Sequence, residues 1–298
     1  MTTMRCFILC CVLSLPAMAD LAAGEEALLK GDYAAALKEF QPLAQNGNRD
    51  AQLNLGLMYL RGQGVTQDYV EAFKWLRGAA DQGLTAAQSY VGVMYEKGEG
   101  VTRDDAEAAK WYRKAVEHRD RTAAANLGKM LLEGRGVGKD DDEAATLLLQ
   151  AAQQGDVSAQ SNIGMLYAQG RGVDQDYEEA VRWFFFAAVQ GDPLSEFNLG
   201  VMYYQGTGVD QDFDEAEKWY RKAANHGQSK AKANLGVMYA QGQGVPQDYV
   251  RAYMWFTLAA AGGDAVSSKN RDFIAGKMTP VQVGEAQRLA REWKPETN

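Results

Sequence analysis

The side chains that could do chemistry are few, and their spacing does not assemble a reaction centre. The only histidines, His118 and His226, lie 108 residues apart. All three cysteines, Cys6, Cys10 and Cys11, sit at the extreme N-terminus. Carboxylates are plentiful but gather where helices begin, which is dipole and cap chemistry. No Gly-x-Ser-x-Gly nucleophile turn and no Walker phosphate loop occurs. The acidic run Asp140-Asp141-Asp142 lacks the spacing of a calcium loop. These observations predict no catalytic residues, no metal and no cofactor.

The first twenty residues form a separate object. Arg5 supplies a positive start, Cys6 to Leu15 an apolar core, and Ala17-Met18-Ala19 a small-x-small cleavage site before Asp20. This pattern predicts a secretory signal peptide over residues 1–19. The apolar run is shorter than the roughly 20 residues that span a bilayer, and no later segment is apolar enough for membrane insertion. The mature chain then has no cysteine, so it forms no disulfide and no thiolate site. The expected location is the bacterial periplasm, with an extracellular one as the alternative. The formal net charge is -8 and the pI is near 5.0. With no basic run, that charge argues against a nucleic-acid partner.

One element recurs throughout. Gly62-Gln63-Gly64-Val65 returns at Gly98, Gly134, Gly170, Gly206 and Gly242, every step 36 residues. A fixed period of this length marks an array in which each unit buries its apolar face against the next. Ala51, Leu55, Met58 and Tyr59 make the apolar face of a first helix, A. Gly56 on that face lets a neighbouring helix come close. Gly62 stops helix A and Gly64 turns the chain. Asp68 caps a second helix, B, with Glu71 at capping-box distance. Ala72, Trp75, Ala79 and Ala80 form the expected buried face of helix B. The fold class is therefore all-α, a solenoid of helix-turn-helix repeats.

Residues 20–47 read as a partial capping repeat. Six units follow at 48–83, 84–119, 120–155, 156–191, 192–227 and 228–263. The third is irregular: Leu131 replaces the tyrosine, Leu147 the tryptophan, and Arg119 the preceding glycine. It is the expected weak point. Residues 264–298 read as C-terminal capping helices and a tail, with Thr279-Pro280-x-Gln282 as a capping box.

The unit Ala-x-x-Asn-Leu-Gly-x-Met-Tyr-x-x-Gly-x-Gly-Val-x-x-Asp-x-x-Glu-Ala-x-x-Trp resembles the Sel-one-like repeat, a relative of the tetratricopeptide repeat. Met278-Thr279-Pro280 with Ala286-Gln287-Arg288-Leu289-Ala290 is similar to the terminal cap of bacterial members. The resemblance implies a right-handed α/α superhelix and a non-enzymatic adaptor, one that binds a protein or peptide on the concave face of its A helices. A secreted factor contacting host proteins is an alternative. A penicillin-interacting envelope hydrolase is another, from the cysteine-rich branch whose cysteines this mature chain lacks.

Positions on helix A that vary between units are the candidate contacts. They are Leu53, Leu57 and Leu60 in the first unit, Ser161, Met165 and Ala168 in the fourth, and Phe197, Val201 and Tyr204 in the fifth. Asn54, Asn126, Asn162, Asn198 and Asn234 border this face. Their amides can donate and accept along a peptide backbone. The competing reading gives these side chains to packing between repeats. The partner's identity and the oligomeric state are not legible.

Overall fold

The computed structural model describes residues 19–296, so the expected export signal lies, apart from Ala19, outside the described residues. The chain divides into two compact units, residues 1–104 and 105–298. Sixteen helices and no strand occur among the described residues. The first unit holds α1 (Leu21–Leu29), α2 (Tyr33–Gln45), α3 (Arg49–Arg61), α4 (Tyr69–Asp81) and α5 (Thr85–Lys97). The second holds α6 (Asp105–Val116), α7 (Arg121–Glu133), α8 (Asp141–Gln153), α9 (Val157–Gln169) and α10 (Tyr177–Ala188). It continues with α11 (Pro193–Gln205), α12 (Phe213–Asn225), α13 (Ser229–Gln241), α14 (Tyr249–Ala261), α15 (Ala265–Ala275) and α16 (Pro280–Glu292).

The loop from helix A to helix B closes on itself. Gly62 takes φ 67° as the helix end, a conformation that costs glycine little. The Gln67 side chain donates to the Leu60 carbonyl, satisfying a helix-end acceptor. The Asp68 amide donates to the Tyr59 carbonyl, while its carboxylate accepts from Val70 and Glu71. The same amide-to-carbonyl bond runs from Asp140 to Leu131, Asp176 to Tyr167, Asp212 to Tyr203 and Asp248 to Tyr239.

That bond corrects the expected Asp-x-x-Glu capping box. The cap amide is already taken by the tyrosine carbonyl, so Glu71 turns away and accepts from Lys74 and from Trp75 Nε1. The reciprocal box is present at Thr279 and Gln282, where no such loop bond competes.

In the hairpins at Gly56, Gly128, Gly164, Gly200 and Gly236, the helix-A glycine faces a large buried side chain of helix B. A Cβ on Gly56 would stand 2.7 Å from Leu76, one on Gly164 2.9 Å from Phe184, and one on Gly236 2.6 Å from Phe256. The buried face of helix B is therefore Ala72, Leu76, Ala79 and Ala80. This moves the expected face by one residue, because Trp75 is only half-buried. Trp111, Trp219 and Trp255 are buried nonetheless, and Trp255 meets Trp293 beyond α16 at 5.8 Å.

The third repeat shows no missing packing. Leu131 and Leu147 are buried where tyrosine and tryptophan stand elsewhere. Asp140 caps α8, and Asp141 pairs with Arg171 of the next repeat at 2.8 Å, which holds the Asp141 carboxyl below its ordinary range. The irregularity is local: Arg119 takes φ 58°, where its sister positions carry glycine.

A polar pair joins the start of helix A to the end of helix B. It is Gln52 with Gln82 in the first repeat and Gln160 with Gln190 in the fourth, each at 2.8 Å. In the fifth it becomes Glu196 with His226 Nδ1 at 2.8 Å. Burial pushes the Glu196 carboxyl up, although the hydrogen bond and charge of His226 oppose the rise.

Three outcomes follow for stability. Gly200→Ala places a methyl 2.5 Å from the Tyr220 ring and lowers stability by about 1–3 kcal/mol in denaturant melts. Arg119→Gly relieves a left-handed non-glycine residue and raises it by roughly 1 kcal/mol. Glu196 binds its proton more tightly folded than unfolded, so stability falls as pH rises through the ordinary carboxylate range. Glu196→Gln should melt above the parent at pH 7, and the gap should close as pH drops below that range.

Candidate functional site

Three cavities lie in sequence along the A helices of the second unit. The first, about 170 Å³, opens between Met165 and Ala168 of α9 and Asn198, Val201 and Gln205 of α11, with Phe184 of α10 lining it. The second, about 200 Å³, lies between Val201, Tyr204 and Gln205 of α11 and Asn234 and Val237 of α13, against Tyr220 of α12. The third, about 320 Å³, lies between Val237, Ala240 and Gln241 of α13 and Asn270, Phe273, Ile274 and Lys277 at α15, against Phe256 of α14.

The cavities repeat because the hairpin repeats. The large helix-B residue that fits over the helix-A glycine also forms a wall of each cavity. Helix-A residues spaced i, i+3 and i+7 line up on one stripe above it. Asn198, Val201 and Gln205 are one such set, and Asn270, Phe273 and Lys277 are another. Lys277 is the only charged side chain among the residues lining the three.

Of the expected contacts, Met165, Asn198, Val201, Tyr204 and Asn234 come together in the first two cavities. Leu53, Asn54, Leu57 and Leu60 are half-buried along α3 of the other unit. Phe197 lines none of the three cavities. Its ring lies 6.0 Å from that of Tyr220, as packing between elements. Ser161, in register with it, is buried and donates to Asp192 of the next repeat at 2.9 Å. The first position of the expected stripe is thus a packing position, within the hairpin at Phe197 and between repeats at Ser161. Tyr204 is partly committed as well: its hydroxyl donates to Gln243 at 2.7 Å and its ring meets Phe213 at 5.3 Å.

The asparagines do not form one uniform ladder. Asn126 donates to the Tyr112 hydroxyl at 3.2 Å, and Asn234 bonds the Tyr220 hydroxyl. Asn162 turns back to the Ser158 carbonyl at 2.8 Å, and Asn198 reaches Met165 Sδ at 3.4 Å. Where helix B of the preceding repeat offers a tyrosine, the amide is used between repeats.

The face also contains residues the periodicity could have supplied. Gln205 and Gln241 occupy the position four beyond Val201 and Val237, on the same stripe. They look like ordinary helix-end polar residues until the cavities place them.

Catalytic groupings are absent from this face. His226 is held by Glu196, and among the described residues no group of three or more His, Cys, Asp or Glu could hold a metal. Ser229 and Lys232 stand at the Ser-x-x-Lys spacing of penicillin-recognising enzymes. Ser229 Oγ, however, donates to the Gly262 carbonyl at 3.4 Å, and the Lys232 ammonium lies 4.7 Å from the Trp293 ring centre. Hydroxyl and amine have separate partners. No helix among the described residues is long and apolar enough to cross a membrane.

Comparison with known proteins agrees with this architecture. The Sel1 repeat model matches residues 49–84, 85–120, 122–156, 157–192, 193–228 and 229–264. A Sel1 repeat protein of known structure from Oxalobacter formigenes is 37% identical over 81% of this chain and 99% of its own, with a TM-score of 0.68. The protective antigen c5321 of uropathogenic Escherichia coli, which displays an SLR fold, is 29% identical over 90% of this chain and 78% of its own, at a TM-score of 0.45. A putative Sel1 repeat protein from Klebsiella pneumoniae is 24% identical over 64% of this chain and 93% of its own, at 0.42. Among curated proteins none matches. Sel1 repeat proteins are generally protein-interaction scaffolds. With six matched repeats and a relative aligned over most of its length, the chain belongs to the Sel1 repeat family.

Proposed function

We propose that the chain is an exported, non-enzymatic adaptor that binds an extended segment of a partner protein across α9, α11, α13 and α15. The observation that carries this reading is the uncharged stripe with three successive cavities. Surface helices normally present charge to water, and the corresponding stripe of the earlier repeats carries Arg61, Lys97, Lys129 and Glu133. From Met165 through Gln241 that charge is missing, and amides alternate with apolar side chains.

An extended peptide suits such a surface. Its backbone needs donors and acceptors, which Asn198, Gln205 and Gln241 can supply together. Its side chains alternate, and one set can enter apolar cavities floored by aromatic rings. The signal-like residues 1–19 support export, and we place the mature chain in the bacterial periplasm, where an adaptor would join envelope proteins. Fractionation should recover it there, lacking Met1 to Ala19.

Gln205 and Gln241 are exposed, so bulk added at these positions costs little folding energy, within roughly 0.5 kcal/mol for a surface change. The double variant Gln205→Trp, Gln241→Trp should fill all three cavity mouths and cut cross-linked partner capture in cells at least tenfold, with an unchanged melt. Capture at the parent level would remove this face as the binding site.

A further inference from the structure

The third cavity differs from the other two in charge and in what it leaves exposed. Phe256 and Ile274 at its base are buried, whereas Phe273 at its edge is 66% exposed. Lys277 stands one turn beyond Phe273, with its ammonium 4.7 Å from that ring centre and 5.6 Å from the ring of Tyr249. Cation–π contact steadies an ammonium without neutralising it. No carboxylate lies within ion-pair distance of Lys277 among the described residues, although acids outnumber bases 39 to 31 in the chain. At about 320 Å³ the cavity has room for a large side chain, being roughly tenfold the share of one liquid water.

The geometry points to a partner segment that pairs a large apolar side chain with an adjacent aspartate or glutamate, docked at the third cavity. This rests on the peptide-binding reading above and names the chemistry of the partner. The apolar side chain covers Phe256 and Ile274 and buries the exposed edge of Phe273. The neighbouring carboxylate takes the free donors of Lys277. Gln241 and Asn270, whose amides flank the entrance, serve the backbone between the two. Charge selects this register: the net charge of -8 repels an acidic segment over most of the surface, and the only cation lining the cavity row stands here.

Two amidated, acetylated octapeptides test this, alike except for a central Phe-Glu in one and Phe-Gln in the other, read by fluorescence anisotropy at low and high salt. The Phe-Glu peptide should bind about tenfold tighter at low salt, the worth of one charge-assisted hydrogen bond, and lose most of that margin at high salt. Lys277→Gln should bring it down to the Phe-Gln level and leave the Phe-Gln peptide unchanged. Phe273→Ser should weaken both. Equal binding of the two peptides, no binding of either, or indifference to Lys277→Gln overturns the proposal. So does a preference for a peptide ending in a free Phe carboxylate over the amidated Phe-Glu. The groove reading is tested separately: parent-level capture by the double tryptophan variant rejects the groove, whereas loss of capture with no acid preference rejects only this partner chemistry.

Discussion

Within each unit, the register of one repeat against the next depends on a backbone approach that only glycine allows. The second glycine of each Gly-x-Gly loop lies on the first residue of the preceding helix B. A Cβ on Gly244 would stand 2.5 Å from the Phe213 carbonyl oxygen, and one on Gly64 2.8 Å from Tyr33 Cβ. Gly172 sits closer still to Asp141. The loop that ends one helix A therefore also seats the previous helix B. Single hairpins of 12- or 13-residue helices are marginal alone. The stack forms because this seat and the buried face of alanines and one large side chain are satisfied together.

The seat has a consequence for function. With helix spacing set by glycine at two places, inside the hairpin at Gly164 or Gly200 and between repeats at Gly172 or Gly208, the remaining helix-A side chains need not hold the array together. The stripe at Asn198, Val201 and Gln205 can then vary in chemistry while the backbone beneath it repeats. Freedom is not complete. Tyr204 and Asn234 are bonded across repeats, so cavity and scaffold share some of the same side chains.

Much of the fold was legible because its devices are backbone devices. Glycine at a positive φ, aspartate at a helix start and an unbroken period read directly from the letters, and Gly62 and Asp68 behave as their types require. The misreadings came where two residues could serve one role. Trp75 and Leu76 are neighbours, and the larger is the more conspicuous, yet the glycine opposite selects Leu76. Glu71 has capping-box spacing, but the competing acceptor for the Asp68 amide, the Tyr59 carbonyl, lies on the far side of the loop, where a local motif cannot see it. In the candidate site, Phe197 packs on Tyr220 within its own hairpin, and Gln205, on one stripe with Asn198 and Val201, lines two cavities instead. Which helix-A side chains line a cavity depends on the neighbouring repeat that forms its other wall, and no single repeat contains that information.

The distribution of charge follows from the same geometry. A charged side chain at Val201 or Val237 would stand between two cavities whose walls are aromatic and aliphatic, partly withdrawn from water, with no fixed partner to offset its desolvation. An amide at the stripe's edges can be satisfied by water in the free chain and by a peptide group in the bound one, with little change in either state. The uncharged run is thus tolerated in the free chain, and the proposed peptide would supply partners for its amides. Lys277 escapes the desolvation argument because it lies at the end of α15, beyond the last repeat, exposed to water and resting on two rings. The end of α15 can therefore carry the one charge that the interior of the row excludes, which is the ground for placing the proposed partner's acidic group there.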